Sequence, residues 1–487
     1  MEKEKSIKIN FVMNMILNVS SIIYPLVTFP YVSRVLGTAG TGKISFATSF
    51  TAYFTTFASL GIPTYGIKII AQKRDNKEEC SHAAHELLII NFIATAIAYF
   101  VFIFLLFNMP KLQEDKILYI ISALSIGLNA LGMEWLYKGF ECYAYITKRT
   151  ILFKFIALIG MFLLVRSQED YRIYAFLTVL GTSGSFVLNM VASRKYINYK
   201  YLGPYNIYQH LKPILYLVCA SLVTSLYAHM DSTMIGLILG DDSNGLYYST
   251  VRIKSMLIMI SSALTTVLIP RMSYYFAIGD WEKIKVYTAK AINAVSLISL
   301  PLLSYSVIMA PECLVFFAGS DYIGAANTLR IQLVACGLVG YSSIWGNQIL
   351  VPAGNEKDYF KCVSIGAVVN LGLNAILIPT IGIEGAAIAT MFTEGTVCIA
   401  LYKYCRKYIG NALNIRTLCT YIISCIPSIG AVVLMKKYIQ IASVFAELCI
   451  TTVTFFGVFS GIMLWIIRDD LFMETVHGII GKLVKRK

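Results

Sequence analysis

Charge is what this sequence has little of: Asp, Glu, Lys and Arg make up 14% of its 487 residues, against about 25% in ordinary soluble proteins. With 57% hydrophobic residues and a mean hydropathy of +0.68, a soluble domain built round one apolar core is excluded. Long polar stretches are missing too, which leaves little room for a catalytic domain outside the apolar segments. No P-loop, no Gly-rich dinucleotide fingerprint and no G-x-S-x-G stands in the chain, so neither a cofactor nor an enzymatic constellation is expected. Any driving energy is then expected from a proton or sodium gradient or from another protein. The eleven cysteines are scattered without a C-x-x-C pair and read as small apolar side chains. His82 and His85 have helical spacing but no zinc-protease motif around them, so no metal is expected and they read as a solvated face.

What the sequence has instead is apolar runs. A membrane-spanning helix needs about 20 mostly apolar residues, and windowed hydropathy places such runs at 10–33, 42–62, 86–108, 117–139, 149–166, 172–193, 212–239, 245–269, 286–309, 328–351, 359–380, 384–404, 417–435 and 443–467. The expectation is an all-α polytopic membrane protein of fourteen spans. The first run is too long for a signal peptide and is interrupted by Asn14 and Asn18, so it is expected to stay attached. Of the 41 Lys and Arg, 28 fall on one set of connections and 8 on the other, which predicts both termini in the cytoplasm. The net charge of +14 therefore follows topology, not nucleic acid.

Leu36-Gly37 followed by Gly42 recurs as Leu239-Gly240 followed by Gly245, an offset of 203. Transporters are often built from such repeats, with the substrate path between the halves. The division expected is 1–205 as an N-terminal six-helix lobe, 206–410 as a second, and 411–487 as helices thirteen and fourteen with a cytoplasmic tail. Gly236 with Gly240 and Gly457 with Gly461 read as close helix packing. Pro25, well inside span one, is the candidate for a functional bend.

Ionisable side chains inside a bilayer are costly and usually face a partner or a cavity. Arg252 and Lys254 carry this argument furthest. If span eight starts near Gly245, Lys254 lies about 14 Å along it, near the middle of an apolar layer about 30 Å thick. One of the two could pair with Asp231 in span seven; the functional alternative is a polar cavity for an anion, and phosphate suits an Arg and Lys together. Glu134 and Lys138 stand four apart in the order favourable for a helical ion pair, read as a structural bridge or gate. Arg34 and Arg330 fall at the expected outer face, as cavity residues or interfacial anchors. Asp241-Asp242, the one adjacent acidic pair in an expected outer connection, reads as a turn.

The stretch Tyr24-Pro25-Leu26-Val27-Thr28-Phe29-Pro30-Tyr31-Val32-Ser33-Arg34-Val35-Leu36-Gly37, with Gly42, Phe46 and Ala47 after it, resembles the opening of Wzx-type oligosaccharide flippases of the multidrug/oligosaccharidyl-lipid/polysaccharide exporter superfamily. Further matches are Leu60-Gly61-Ile62 with Tyr65-Gly66, Glu134-Trp135-Leu136-Tyr137 with Tyr145-Ile146-Thr147 and Arg149, Pro270-Arg271, Gly346-Asn347-Gln348 with Pro352 and Gly354, and Gly382 with Gly385-Ala386-Ala387. The resemblance covers helices one to twelve and weakens after residue 410. It implies two helical lobes with alternating access in a bacterial plasma membrane. It also implies an undecaprenyl-diphosphate-linked repeat unit as substrate, whose diphosphate would need Arg252 and Lys254, and a polymerase and chain-length machinery as partners. Related drug exporters rely on a carboxylate in the first helix, where this chain has Asn14 and Asn18. Lipid II flippases are the nearer rival; a polysaccharide polymerase, which needs a large outer loop, is the further one.

Overall fold

The computed structural model describes residues 7–200, 203–266, 268–410, 415–439, 441–469 and 472–473. Lys3, Lys5, Lys482, Lys485, Arg486 and Lys487, which entered the charge count, lie outside them. Every regular element among the described residues is helical. The chain divides into two units, Met1–Tyr248 and Ser249–Lys487.

The first unit contains α1 (Ile7–Ser59), α2 (Ile62–Lys73), α3 (Lys77–Asn108), α4 (Pro110–Gln113), α5 (Lys116–Gly132), α6 (Glu134–Gly139), α7 (Tyr143–Leu164), α8 (Tyr171–Val179), α9 (Phe186–Ala192) and α10 (Tyr208–Ile238). Helix α11 (Asp241–Thr266) starts in it and continues into the second unit, which adds α12 (Ile269–Ile278), α13 (Trp281–Ile308), α14 (Ala310–Phe317), α15 (Ala326–Ser343), α16 (Glu356–Ile381), α17 (Ile383–Ile409), α18 (Ile415–Tyr438) and α19 (Val444–Gly461). In the first unit α10, α5, α7 and α3 all pack on α1. In the second, α17 packs on α15 and α16, α13 on α15 and α18, and α18 on α19. The unit boundary falls after Tyr248, beyond the 205 that the repeat spacing suggests, because α10 lies along α1.

Each unit has its own buried core: Ile70, Leu87, Leu136 and Tyr137 in one cluster of the first unit, and Ile284, Trp345 and Ile349 in the second. The outer surface is apolar as well, with Phe100, Phe104 and Phe107 on α3, Val368 on α16 and Val453 on α19 all exposed. A soluble protein rarely exposes so much contiguous apolar surface; a lipid-facing one must.

Eleven helical runs among the described residues are long and apolar enough to cross a membrane. The difference from the fourteen expected has physical causes. The first two expected spans run together in one helical stretch interrupted only at Gly37 (φ 66°, ψ −173°). Helix α7 carries Lys148, Arg149 and Lys154, and α11 carries Arg252 and Lys254, so both are too polar to be counted on composition. Helices also outlast the membrane: α3 starts at Lys77, nine residues before the expected span at 86, because Asn76 caps it by accepting from the backbone amides of Glu78 and Glu79.

Candidate functional site

The repeat is visible in the backbone. Gly37 (φ 66°) and Gly240 (φ 86°), at matching positions, are both in the left-handed region, where a side chain would be strained, and both stand just before a helical stretch restarts. The two copies then touch. A methyl carbon added to Gly42 would lie 1.8 Å from the Asp241 carbonyl oxygen, and one added to Gly245 would lie 1.9 Å from the Thr38 carbonyl oxygen. Thr38 and Asp241 are themselves 203 apart, so the contact is reciprocal, as across a two-fold axis.

Around this seam Asn244 Nδ2 donates to the Gly42 carbonyl at 2.9 Å, Thr38 Oγ1 donates to Asp242 Oδ1 at 2.7 Å, and Lys111 Nζ stands 3.1 Å from Asp241 Oδ1. The acidic pair, read from sequence as a turn, is the first turn of α11, with both carboxylates in use. Nearby, burial opposes ionisation of Asp115, but hydrogen bonds from Tyr171, Arg172 and the Leu118 amide outweigh it and hold this carboxyl below the usual range. Burial likewise lowers Lys111, yet Glu114 and Asp241 raise it more.

Further along α1, Tyr53 hydrogen-bonds Thr233 at 3.1 Å and Thr56 donates to Ser225 at 3.1 Å. Asp231, the expected partner for one of the α11 cations, accepts from the Tyr247 hydroxyl at 2.5 Å. Asn14 and Asn18 are exposed on α1. The chain stays helical through Pro25, and the break within α1 is at Gly37. Arg34 is exposed and donates from Nη1 to the Pro30 carbonyl one turn back.

Glu134 and Lys138 form the expected ion pair at 3.1 Å, at a place where the chain leaves α5 through Met133 in the left-handed region (φ 41°, ψ 32°). For a residue with a Cβ that conformation costs about 1–2 kcal/mol, and such strain concentrates at functional sites. A second cation joins the pair: Arg149 Nη2 lies 3.8 Å from Glu134 Oε2 with only 3% of its side chain exposed. Its Nη1 donates to Ser185 Oγ at 2.5 Å, its guanidinium lies 5.3 Å from the Phe186 ring centroid, and its Nε and Nη2 find no hydrogen bond among the described residues.

Sequence reasoning put Arg149 at the very start of the run 149–166 and quoted it in the family pattern, but missed its burial. It also missed Lys154, well inside α7, which donates to Ser21 Oγ on α1 at 2.8 Å. The solvated face assigned to His82 and His85 fails at His85. His85 is buried and its Nδ1 meets Tyr205 OH at 2.9 Å; His82 meets the Pro204 carbonyl at 3.1 Å. Next to His85 on α3, fully buried Glu86 takes the His210 ring at 2.9 Å, the Gln209 amide at 3.0 Å and the Asn206 backbone amide at 2.6 Å. These contacts fasten the segment before α10 to α3.

In the second unit Arg252 and Lys254 are both half-buried and flank Ile253, which is buried. About 200° apart round a helix, they reach two different sides of α11. Lys254 forms no hydrogen bond or ion pair among the described residues, and it shares the surroundings of the Cys336 thiol with Glu394. Arg330 is tied down locally, to Asn327 Oδ1 at 2.8 Å and to the Val307 carbonyl at 3.3 Å.

The architecture is shared with solved transporters. The lipid II flippase MurJ in an inward closed conformation superposes with a TM-score of 0.66 over 92% of this chain and 98% of its own, at 14% identity. An outward-facing multidrug resistance MATE family transporter gives 0.54 over 83% and 94%, at 16% identity. In sequence, the polysaccharide biosynthesis protein family matches residues 7–276 and the MatE family residues 217–376. A protein of Escherichia coli (strain K12) named "Putative O-antigen transporter" is 21% identical over 82% of this chain and 97% of its own. A Haloferax volcanii protein named "Probable low-salt glycan biosynthesis flippase Agl15" is 27% identical over 50% of this chain and 51% of its own. Fold and matches together define a membrane transporter of the multidrug/oligosaccharidyl-lipid/polysaccharide exporter superfamily. Within it, the chain belongs to the polysaccharide biosynthesis protein family, among the Wzx-type flippases.

Proposed function

We propose that this flippase carries an undecaprenyl-diphosphate-linked oligosaccharide repeat unit across a bacterial plasma membrane, by alternating access, for a capsule or O-antigen type of polymer. Lys254 carries the reading: a half-buried ammonium with no ion pair or hydrogen bond among the described residues, on a membrane helix two residues from Arg252. Holding a cation without a bonded counter-ion inside a bilayer costs several kcal/mol, and a diphosphate headgroup would supply one while the lipid tail stays in the bilayer. The names of the Escherichia coli and Haloferax volcanii relatives support the substrate class. Fourteen spans with both termini cytoplasmic, coupling to a proton or sodium gradient, and a polymerase with chain-length machinery as partners complete the reading.

The test is deletion of the gene. Lipid-linked repeat units accumulating on the cytoplasmic side of the membrane support the reading. Normal polymer at the surface, or rescue of a strain depleted of its lipid II flippase, would replace it with another substrate.

A further inference from the structure

The break between α5 and α6 opens a small cavity of about 110 Å³ whose polar lining comprises Ser59, Asn91, Asn129, Glu134 and Lys138, with Trp135 beside them. At about 30 Å³ per water in the liquid, this is the room of three or four waters. One edge of a sugar ring with two or three hydroxyls needs that much; a lipid tail or a whole oligosaccharide needs far more.

The lining itself carries one charge of each sign, Glu134 and Lys138 at 3.1 Å, with the buried Arg149 behind the carboxylate at 3.8 Å. A diphosphate would meet there only an ammonium already engaged by a carboxylate. Hydroxyl groups, which both donate and accept, fit instead. Glu134 offers acceptors and Lys138 donors, while Asn129 accepts from Ser59 Oγ at 3.1 Å through its Oδ1 and keeps an amide nitrogen with no partner among the described residues. Trp135 is held in place because a methyl carbon at Gly66 would come within 2.9 Å of its ring. Arg149, buried and bound to Ser185 and Glu134, acts as a positioning residue for the carboxylate.

We propose that this cavity is a glycan subsite, where one sugar of the lipid-linked oligosaccharide is read by its hydroxyls, separately from the headgroup cations on α11. The inference rests on the flippase reading above. It gives the pair Glu134–Lys138 a role in substrate choice beyond holding a bent helix.

The experiment uses the full chain in lipid nanodiscs and two probes: undecaprenyl diphosphate, and the lipid-linked oligosaccharide extracted from cells deleted for this gene. The wild type is expected to bind the glycosylated probe more tightly. Asn129→Leu keeps the ion pair and should weaken the glycosylated probe about tenfold while leaving the bare diphosphate unchanged. Ser59→Ala, a milder change, should weaken the same probe alone. Lys254→Glu should weaken both. A variant of unchanged melting temperature that binds both probes like the wild type, or weakens both equally, overturns the subsite. So does a wild type that binds the two probes equally, with the flippase reading left standing. A wild type that binds neither removes the flippase reading itself.

Discussion

Replacing Gly42 by Ala puts a methyl carbon 1.8 Å from the Asp241 carbonyl oxygen, where real contacts do not come closer than 3.0 Å. The obstacle is backbone, so no side chain can turn aside, and α1 and the start of α11 must separate by about 1.2 Å. That stretches Asn244 to Gly42 from 2.9 Å and Thr38 to Asp242 from 2.7 Å, both past hydrogen-bonding range. At about 1 kcal/mol for each, the closed seam loses about 2 kcal/mol, a shift of roughly thirtyfold in its population. The assay is labelling of Thr41→Cys, buried beside the seam, by a membrane-impermeant maleimide on intact cells lacking the other cysteines. Adding Gly42→Ala should speed labelling at least tenfold, and Gly245→Ala should do the same because its methyl meets the Thr38 carbonyl at 1.9 Å. Equal protection with and without the alanines, in protein of normal abundance, would refute the reasoning; an effect from one glycine only would refute the reciprocity.

Reversing either α11 cation should abolish polymer export in a complementation assay while an immunoblot still finds the protein in the membrane, whereas Lys254→Arg and Arg252→Lys keep partial activity because charge survives and geometry changes. In a thermal double-mutant cycle, Glu134→Gln and Lys138→Gln together should cost less than their sum. Glu134→Gln alone should cost more than Lys138→Gln, since it leaves the buried Arg149 without its carboxylate. The seam should be indifferent to pH near neutrality. Asp115 is held below its ordinary 3.8, so its stabilisation is present above that pH and lost as pH falls through the lower folded value. Lys111 is held above its ordinary 10.5, so its stabilisation is present below that pH and lost as pH rises through the higher one. Labelling of Thr41→Cys, corrected for thiol ionisation, should therefore be flat from about pH 5 to 9, and a titration centred in that window would contradict the assignment.

The apolar runs of α3, α13, α16 and α19 were legible because hydropathy measures what the bilayer selects. The short α2 and α12 were not, since helices of 12 and 10 residues leave no span-length signal. Two leucines and four glycines at an offset of 203 announced the repeat, yet nothing in a linear sequence says that Gly42 and Gly245 approach each other. That needs the left-handed turns at Gly37 and Gly240. The cation pair on α11 and the pair Glu134–Lys138 could be read from depth and spacing. Arg149, Glu86 and His85 could not, because their burial comes from Ser185, His210 and Tyr205, all more than thirty residues away along the chain.

The central claim is transport of a lipid-linked glycan that depends on the α11 cations. It is tested most directly in proteoliposomes loaded in both leaflets with lipid-linked oligosaccharide from the deletion strain, with an impermeant glycosidase added outside. The wild type should bring the lumenal half of the pool within reach of the enzyme, and Lys254→Glu protein at equal density should leave that half protected. A lumenal pool that stays protected with the wild type, or is exposed equally by Lys254→Glu, would contradict the account.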